Sequence, residues 1–207
     1  MRLANRRRVI TLGVGLPLAI GGCAGLLTAR NAPPPTEYTL TVSPTFPADL
    51  PRRDWVLLVA EPVAEGALDT SRIAVLADGR VDRLADVVWS DRATVMLQFL
   101  IVQAFQTADR LRAVGTDRDD LPGRYLLQST LNDFQLEPEG NGYAAQVSLH
   151  ARLIALPTRE VAGARELSQR IPATAPSNQA AVTAFDAAVA SILAKLVPWT
   201  LRTGRAR

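Results

Sequence analysis

The chain has 207 residues, with 23 basic and 20 acidic side chains, one cysteine and one histidine. Four of the arginines lie within the first eight residues, so the rest of the chain is close to neutral and gives no indication of nucleic-acid binding. A single histidine and a single cysteine cannot supply the usual zinc ligands, so any metal site would have to be built on carboxylates.

Residues 1–22 are predicted to form a lipoprotein signal peptide. A basic region that includes Arg6–Arg8 precedes an apolar stretch at residues 9–20, and Gly21-Gly22 then precede Cys23. A cysteine in that place resembles the bacterial lipobox, in which the thiol is acylated, as with palmitate, and becomes the new N-terminus. The apolar stretch is about a dozen residues, too short for the ~20 of a membrane-spanning helix. Cys23 is therefore the predicted lipidation site, with Sec and twin-arginine export both left open.

Residues 23–52 are predicted to form a lipid-anchored, proline-rich tether. Six of the fourteen prolines lie in this segment: Pro33, Pro34, Pro35, Pro44, Pro47 and Pro51. Proline-rich segments favour extended conformations of about 3.1 Å per residue, so such a tether holds a domain well away from a bilayer. Within the tether, the alternating residues Tyr38–Val42 are β-prone and able to dock as a first strand.

The folded domain is predicted over residues 53–200, and apolar runs and alternation within it predict six strands. They lie at residues 55–60, 73–76, 80–84, 124–136, 143–153 and 165–171. The first run is apolar on both faces, as in a central strand. A change of apolar spacing between Leu131 and Phe134 indicates a β-bulge. Turns are expected at residues 77–79 and 139–142.

Two stretches with apolar residues three and four apart predict helices. Ser90 or Asp91 is the expected N-cap of the first helix, which runs to about Ala108. The second helix is expected from about Asn178 to Val197, with a stop at Pro198 and a basic tail at residues 201–207. Strands, a helix, more strands and a final long helix predict an α/β sandwich.

The sequence shows no catalytic constellation. Strand phase places His150 on a polar sheet face, where a surface histidine is expected. The acids Asp117, Asp119 and Asp120 lie in a polar loop and are expected to be solvated. A serine-hydrolase elbow, a Walker phosphate loop and a dinucleotide-binding glycine fingerprint are all absent from the sequence. We therefore predict a protein that is not an enzyme and that carries neither a metal nor a cofactor.

A series of short motifs follows in order along the chain. They are Tyr38-Thr39-Leu40, Val59 to Pro62, Ala67-Leu68-Asp69, Arg72-Ile73, Val81, Val88-Trp89-Ser90-Asp91, residues 125–134, residues 181–188 and Leu196-Val197-Pro198-Trp199. In order and spacing they resemble the ABC-type transport auxiliary lipoprotein family, which includes the lipoprotein of the paraquat-inducible lipid-transport system. The resemblance implies a three-layer α/β fold with a mixed β-sheet and no enzymatic activity.

The resemblance also implies partners and a candidate site. The expected partners are an ABC permease, its ATPase and a mammalian-cell-entry-type (MCE) substrate-binding protein, in systems that move phospholipids or other hydrophobic molecules across the envelope. Trp89 and Asp91 match the motif that opens the first helix and are the candidate partner-binding residues. A packed aromatic beside an N-cap is the alternative explanation for the same pair. Self-assembly into a homo-oligomer is compatible with docking on a transporter, although no residue requires it.

The residue after Cys23 bears on localisation. It is Ala24 rather than the aspartate that retains enterobacterial lipoproteins in the inner membrane, which favours a periplasm-facing position on the outer membrane. The alternative function is a structural or regulatory envelope lipoprotein that binds peptidoglycan or another envelope protein.

Overall fold

The computed structural model describes residues 34–205; Cys23, the predicted signal peptide, the first part of the tether and residues 206–207 lie outside the described residues. The described part contains one mixed sheet of nine strands and two helices. In chain order these elements are β1 (Thr36–Tyr38), β2 (Arg53–Val59), β3 (Val63–Ala64), β4 (Arg72–Ala77), β5 (Arg80–Trp89), α1 (Ala93–Ala108), β6 (Leu111–Thr116), β7 (Tyr125–Glu139), β8 (Gly142–Ala155), β9 (Glu160–Pro172) and α2 (Asn178–Thr203).

The sheet is organised around the long strand β7. One edge of β7 pairs antiparallel with β8, which in turn pairs antiparallel with β9. The other edge meets three parallel strands in succession, β2, β3 and β4. β6 continues the sheet beyond β2, and β5 and then β1 continue it beyond β4. The mixed β-sheet and the α/β class predicted from the sequence are confirmed.

The predicted bulge and turns occur where the sequence placed them. The β7–β8 register shifts between Leu131 and Asp133, and the extra residue keeps Leu131 and Phe134 on the same buried face. Asp78 and Gly79 both have positive φ, at 49° and 73°, as a two-residue turn between right-twisted strands requires. Gly140, at φ 56°, serves the β7–β8 turn.

Both helices pack on one face of the sheet and contact each other. Ile101 of α1 and Val189 of α2 meet Leu131 and Leu149 of the sheet around a small apolar void. The predicted long C-terminal helix is confirmed. By length and apolar composition α2 could cross a membrane, but more than half of its most apolar window is buried inside the fold, as in a core helix.

The predicted tether boundary at residue 52 is wrong, because the compact unit begins at Pro35. Residues 39–50, here named the strap, lie against the outer side of the helix pair. The Thr41 N–H donates a 2.7 Å hydrogen bond to Asp186 on α2, and Leu40 and Leu50 are buried. The strap thus forms the layer outside the helices. Its proline content predicts an extended tether, but its two leucines are buried against the folded domain.

The predicted stop at Pro198 and the predicted tail at residues 201–207 are also wrong, because α2 continues to Thr203. Proline removes one helical hydrogen bond and crowds the preceding turn, at a cost of about 3 kcal/mol. Burial of Leu201, together with a 2.9 Å hydrogen bond from Arg53 Nε to the Leu201 carbonyl, holds the last turn in place. Tertiary contacts therefore outweigh the local preference of Pro198.

The first helix ends at Ala108 as predicted, but its start differs from the prediction. The residue in the N-cap position is Arg92, and no side chain of residues 34–205 caps the helix there. Asp91 instead accepts a 2.6 Å hydrogen bond from the Arg92 backbone N–H through Oδ1, and Ser90 contacts the sulfur of Met96.

Candidate functional site

The structure separates the two candidate partner-binding residues. Trp89 is 2% exposed and packs edge-on against Phe185 at 5.2 Å between ring centroids. Phe134 completes the cluster, 4.8 Å from Phe185. Direct contact of Trp89 with a partner is therefore wrong as a prediction, and the alternative of a packed aromatic describes it. Asp91, by contrast, is exposed.

Asp91 lies at the edge of a surface groove between the strap and α1, named here the α1 groove. Its volume is about 550 Å³. The lining residues are Thr39, Leu40, Thr41, Val42, Ser43, Ser90, Asp91, Val95, Met96, Phe99, Leu100 and Gln103. Leu40, Met96 and Leu100 are almost fully buried and form an apolar base, while hydroxyl groups and the Asp91 carboxylate supply polar contacts. This combination suits binding of an apolar group with a polar or cationic neighbour.

Phe99 is the residue of this groove that the fold itself does not need. Its side chain is 68% exposed, although the positions before and after it on α1, such as Leu97 and Ile101, are buried in the core. A large apolar side chain held in solvent beside an apolar groove is typical of an interaction surface. Phe99 could not be recognised from the sequence, because its apolar character is indistinguishable from that of its buried neighbours until the face of α1 is known.

A second polar cluster joins the loop after β2 to the start of α1. Arg92 donates to Glu61 and to Asp69, each at 2.7 Å, and Arg118 donates to the other Glu61 oxygen at 2.8 Å. The buried Thr94 hydroxyl lies 2.8 Å from Asp69 and 3.0 Å from Glu61. Both carboxylates of this arginine–carboxylate cluster are paired with an arginine. The cluster therefore connects the loops to the start of α1 and has the arrangement of a structural ion-pair network.

The contacts within this cluster shift the pKa of Glu61 and that of Arg92. Burial acts to raise the pKa of Glu61, but hydrogen bonds from Thr94 and Arg92 and the positive charges of Arg92 and Arg118 outweigh it. The pKa of Glu61 therefore lies below its ordinary value. Hydrogen bonds to Glu61 and Asp69 raise the pKa of Arg92. Both Glu61 and Arg92 therefore remain charged at neutral pH.

The other polar residues considered in the sequence, Asp117, Asp119 and His150, lie among hydrogen-bond or strand-pairing partners of the fold. Asp117 accepts a hydrogen bond from Gln98 at 3.3 Å, and Asp119 accepts the Thr116 N–H at 2.7 Å within its own loop. His150 is half-buried on the sheet face opposite the helices, in register with Thr130 and Glu166. Within residues 34–205, no group of three His, Cys, Asp or Glu side chains is arranged to hold a metal ion.

The arginine–carboxylate cluster was not predicted from the sequence, although signals for it were present. Glu61 and Asp69 belong to two of the short motifs that carry the family resemblance, and Arg92 directly follows a third. The structure brings these separate motifs together at the start of α1. A charged residue directly after a buried strand, as Glu61 is, was the one local sign that this position matters.

Comparison with known protein families gives one match. The family model described as the ABC-type transport auxiliary lipoprotein component matches residues 38–197. An uncharacterized protein of Bradyrhizobium diazoefficiens is 29% identical over 146 residues, which is 70% of this chain. The matched region spans only 39% of that relative's own length.

Two solved structures share the fold. A Xanthomonas campestris protein of the DUF330 family is 30% identical, with a TM-score of 0.76 over 82% of this chain and 96% of that protein. An uncharacterized protein that is 13% identical has a TM-score of 0.64 over 80% of this chain and 97% of that one, which shows the fold alone.

Proposed function

Because the chain belongs to the ABC-type transport auxiliary lipoprotein family, we propose that it is the lipid-anchored auxiliary component of an MCE-linked transporter for phospholipids or other hydrophobic molecules. The observation that carries this proposal is the family match over residues 38–197, most of the described structure. The lipobox at Cys23 supports the anchored state that the family description names. A partner, a substrate and a membrane are each part of the proposal.

The proposed role is coupling rather than catalysis. The sequence carries no Walker phosphate loop, so the energy for transport comes from the ATPase of the system. In this proposal the domain faces the periplasm from the outer membrane and contacts the MCE-domain protein or the permease. It fixes where the transporter delivers or collects its substrate.

We further propose that the α1 groove is the surface that meets the transporter. Phe99 supplies an apolar side chain that is already free of the core, and Asp91 supplies a negative charge at the edge of the same groove. A partner that inserts an apolar side chain into the groove and places a basic residue next to it would bury Phe99 and pair with Asp91. Buried aromatic anchors with charged neighbours are typical of the residues that dominate binding energy at protein interfaces.

In-cell photo-crosslinking from position 99 tests this proposal. A photoreactive amino acid would replace Phe99 in the full-length, lipidated chain, and crosslinked proteins would be identified by mass spectrometry. We expect an MCE-domain protein or a permease to be recovered from position 99. Val63 on β3 is the matched control, because it is 67% exposed against 68% for Phe99 and lies outside the groove.

Two outcomes would contradict the proposal at different levels. Recovery of the transporter from position 63 but not from position 99 would reject the groove and keep the transport function. Failure at both positions, with normal lipid distribution and a cell-wall defect in a deletion strain, would favour the structural or regulatory lipoprotein instead.

The lipid anchor is tested separately by Cys23→Ser. We expect this variant to produce a folded domain that is not membrane-bound and does not support transport. Membrane fractionation and measurement of lipid distribution would show both effects. Transport that survives the change would reject an essential role for the anchor.

A further inference from the structure

Eight of the sixteen arginines in residues 34–205 lie at one end of the fold, here named the basic end. This end contains the starts of β2 and β6, the segment before β7, the β8–β9 turn and the C-terminus of α2. Hydrogen bonds connect these pieces: the Arg53 N–H donates to the Arg110 carbonyl at 2.8 Å, and the Arg205 N–H donates to the Tyr125 hydroxyl at 3.1 Å. The Arg124 N–H also donates to the Val56 carbonyl, at 2.9 Å.

Charge is partitioned unevenly between the basic end and the rest of the described residues. The basic end contains eight arginines and four acidic residues: Arg52, Arg53, Arg110, Arg112, Arg124, Arg159, Arg202, Arg205, Asp49, Asp54, Asp109 and Glu160. The rest of residues 34–205 contains sixteen acidic and nine basic residues. Counting Asp119 and Asp120, in the loop before Arg124, with the basic end still leaves it positive.

Structural roles account for only part of this positive charge. The side chains of Arg53 and Arg110 donate to backbone carbonyls, and Arg52 pairs with Asp109 at 3.5 Å. The C-termini of α1 and α2 also lie here, but two helix dipoles together supply only about one negative charge. A surplus of positive charge therefore remains at the surface.

Among residues 34–205, Arg52 is the only one of these eight arginines with a carboxylate within 4 Å, so the other seven are not paired with one. Arg112 and Arg124 line one shallow cavity of about 280 Å³, together with the carboxylate of Asp54. The Nε of Arg124 is buried and has no hydrogen-bond partner in this part of the chain. An unpaired buried donor is costly unless a further acceptor reaches it.

We propose that the basic end docks on the anionic phosphate headgroups of the membrane that holds the lipid anchor. Every basic residue at this end is arginine, whose planar guanidinium donates two hydrogen bonds to one phosphate. Cationic patches next to a lipid anchor add to its hold on an anionic membrane. The inference rests on the anchor of the proposed function and not on which transporter the chain serves.

The length of chain before the fold allows this contact. Residues 24–34 span at most about 37 Å when fully extended. The chain enters the sheet at β1, beside the start of α1, and α1 has 16 residues, about 24 Å, before it ends at the basic end. The maximal span of residues 24–34 exceeds the length of α1, so the chain is long enough for the anchor and the basic end to contact one bilayer surface. In that orientation the Asp91 end of the α1 groove points away from the membrane.

Energy transfer from a site-specific dye to headgroup-labelled lipid tests the docking. The full-length protein is purified with its acylated Cys23, confirmed by mass spectrometry, so that an introduced cysteine is the only free thiol. Thr158→Cys places the dye in the β8–β9 turn at the basic end. Asn141→Cys, exposed in the β7–β8 turn at the other end of the sheet, is the matched control.

In vesicles of phosphatidylcholine with one third phosphatidylglycerol, we expect greater transfer from position 158 than from position 141. That excess should be lost in pure phosphatidylcholine and in about 1 M salt, where the Debye length is about 3 Å. Equal transfer from the two positions in anionic vesicles would overturn the proposal. Absence of acyl chains on Cys23 would overturn the anchor, which is a separate failure.

Charge removal supplies the second readout. Arg112→Gln with Arg202→Gln should abolish most of the excess transfer, while Arg72→Gln with Arg80→Gln, which removes as many exposed charges elsewhere, should leave it unchanged. Equal thermal unfolding of both double variants shows that folding is not the cause. An excess unaffected by the first pair would overturn the role of the arginines. If position 158 shows no excess transfer to lipid but can be crosslinked to an acidic protein, the basic end is a binding surface for that protein instead.

Discussion

At the scale of single residues, Glu61 and Asp186 are two carboxylates whose surroundings shift their pKa values. Glu61 is 18% exposed and receives hydrogen bonds from two arginines and a threonine, all far from it in the sequence. Asp186 is half-buried and accepts only the Thr41 N–H among the described residues. The pKa of Glu61 is lowered and that of Asp186 is raised, so the two carboxylates affect stability in opposite directions with pH.

Replacing Glu61 by glutamine should lower the free energy of unfolding, because it removes the charge that pairs with two arginines. The loss should be only about 1 kcal/mol, because these arginines are 44% and 74% exposed and solvent screens the interaction. A lowered folded-state pKa gives stability that is present above the ordinary glutamate pKa and is lost as the pH falls through the folded value. The difference between wild type and Glu61→Gln should therefore shrink in acid. Urea unfolding across that range measures it, with the exposed Glu65→Gln as control. A constant difference at all pH values would contradict the assignment.

Replacing Asp186 by asparagine should leave the protein at least as stable as wild type at neutral pH. Burial raises the pKa of Asp186, and the hydrogen bond from the Thr41 N–H only partly offsets this. A raised pKa gives stability that is present below the ordinary aspartate pKa and is lost as the pH rises through the folded value. Asparagine keeps an acceptor for Thr41 without the charge. Thermal unfolding at neutral and acidic pH measures the change.

The matched variant Asp186→Ala removes the acceptor and should cost about 0.5–1.5 kcal/mol. If alanine and asparagine behave alike, the Thr41 hydrogen bond does not hold the strap.

At the scale of elements, the end of α2 shows how packing overrides local preference. Gly204, just beyond the helix, lies against the ring of Trp55 on β2. The Tyr125 ring packs edge-on against Trp55 at 4.9 Å, and its hydroxyl contacts the backbone of Arg205. These contacts secure the helix C-terminus to the start of the sheet. They explain why the helix survives Pro198.

Gly204→Ala should destabilise the protein by about 1–3 kcal/mol, because the added Cβ would lie 2.5 Å from Trp55 Cζ2 and the ring has little room to move. Chemical unfolding followed by tryptophan fluorescence measures the loss. Gly66→Ala is the control, since its Cβ would meet nothing within 4 Å. Equal stability of the two variants would mean that the helix end does not rest on Trp55.

At the scale of the whole molecule, one aromatic cluster joins the sheet to α2. Trp89 of β5, Phe134 of β7 and Phe185 of α2 have ring centroids within 5.8 Å of one another. Each residue is at most 2% exposed. The cluster lies where the chain leaves β5 for α1, so it fixes the position of the α1 groove relative to the sheet.

Phe185→Ala should cost about 3–5 kcal/mol, because it removes a fully buried ring and leaves a cavity beside Trp89. The same substitution at the exposed Phe99 is the matched control, and we expect it to change stability by less than about 0.5 kcal/mol. Denaturant unfolding of both variants measures the contrast. A large loss at Phe99 would show that it belongs to the core rather than to an interaction surface.

The sequence by itself determined the elements whose pattern is local. Alternation predicted β8, the change of spacing at Leu131 predicted the bulge, and Asp78-Gly79 predicted a turn, because each depends on neighbours a few residues apart. The motif order also indicated the family before any fold was known. Strand β6 was missed, because it is short and β2 is its only partner strand in the described part of the chain, so little of it is buried.

Only the tertiary structure decided which apolar residues are buried and which remain free. It placed the strap on the helices, carried α2 past Pro198 and buried Trp89, while it left Phe99 in solvent. It also gathered Glu61, Asp69 and Arg92 into one cluster and eight arginines at one end. These outcomes depend on contacts between residues far apart in the chain, whose combined free energy exceeds any local preference.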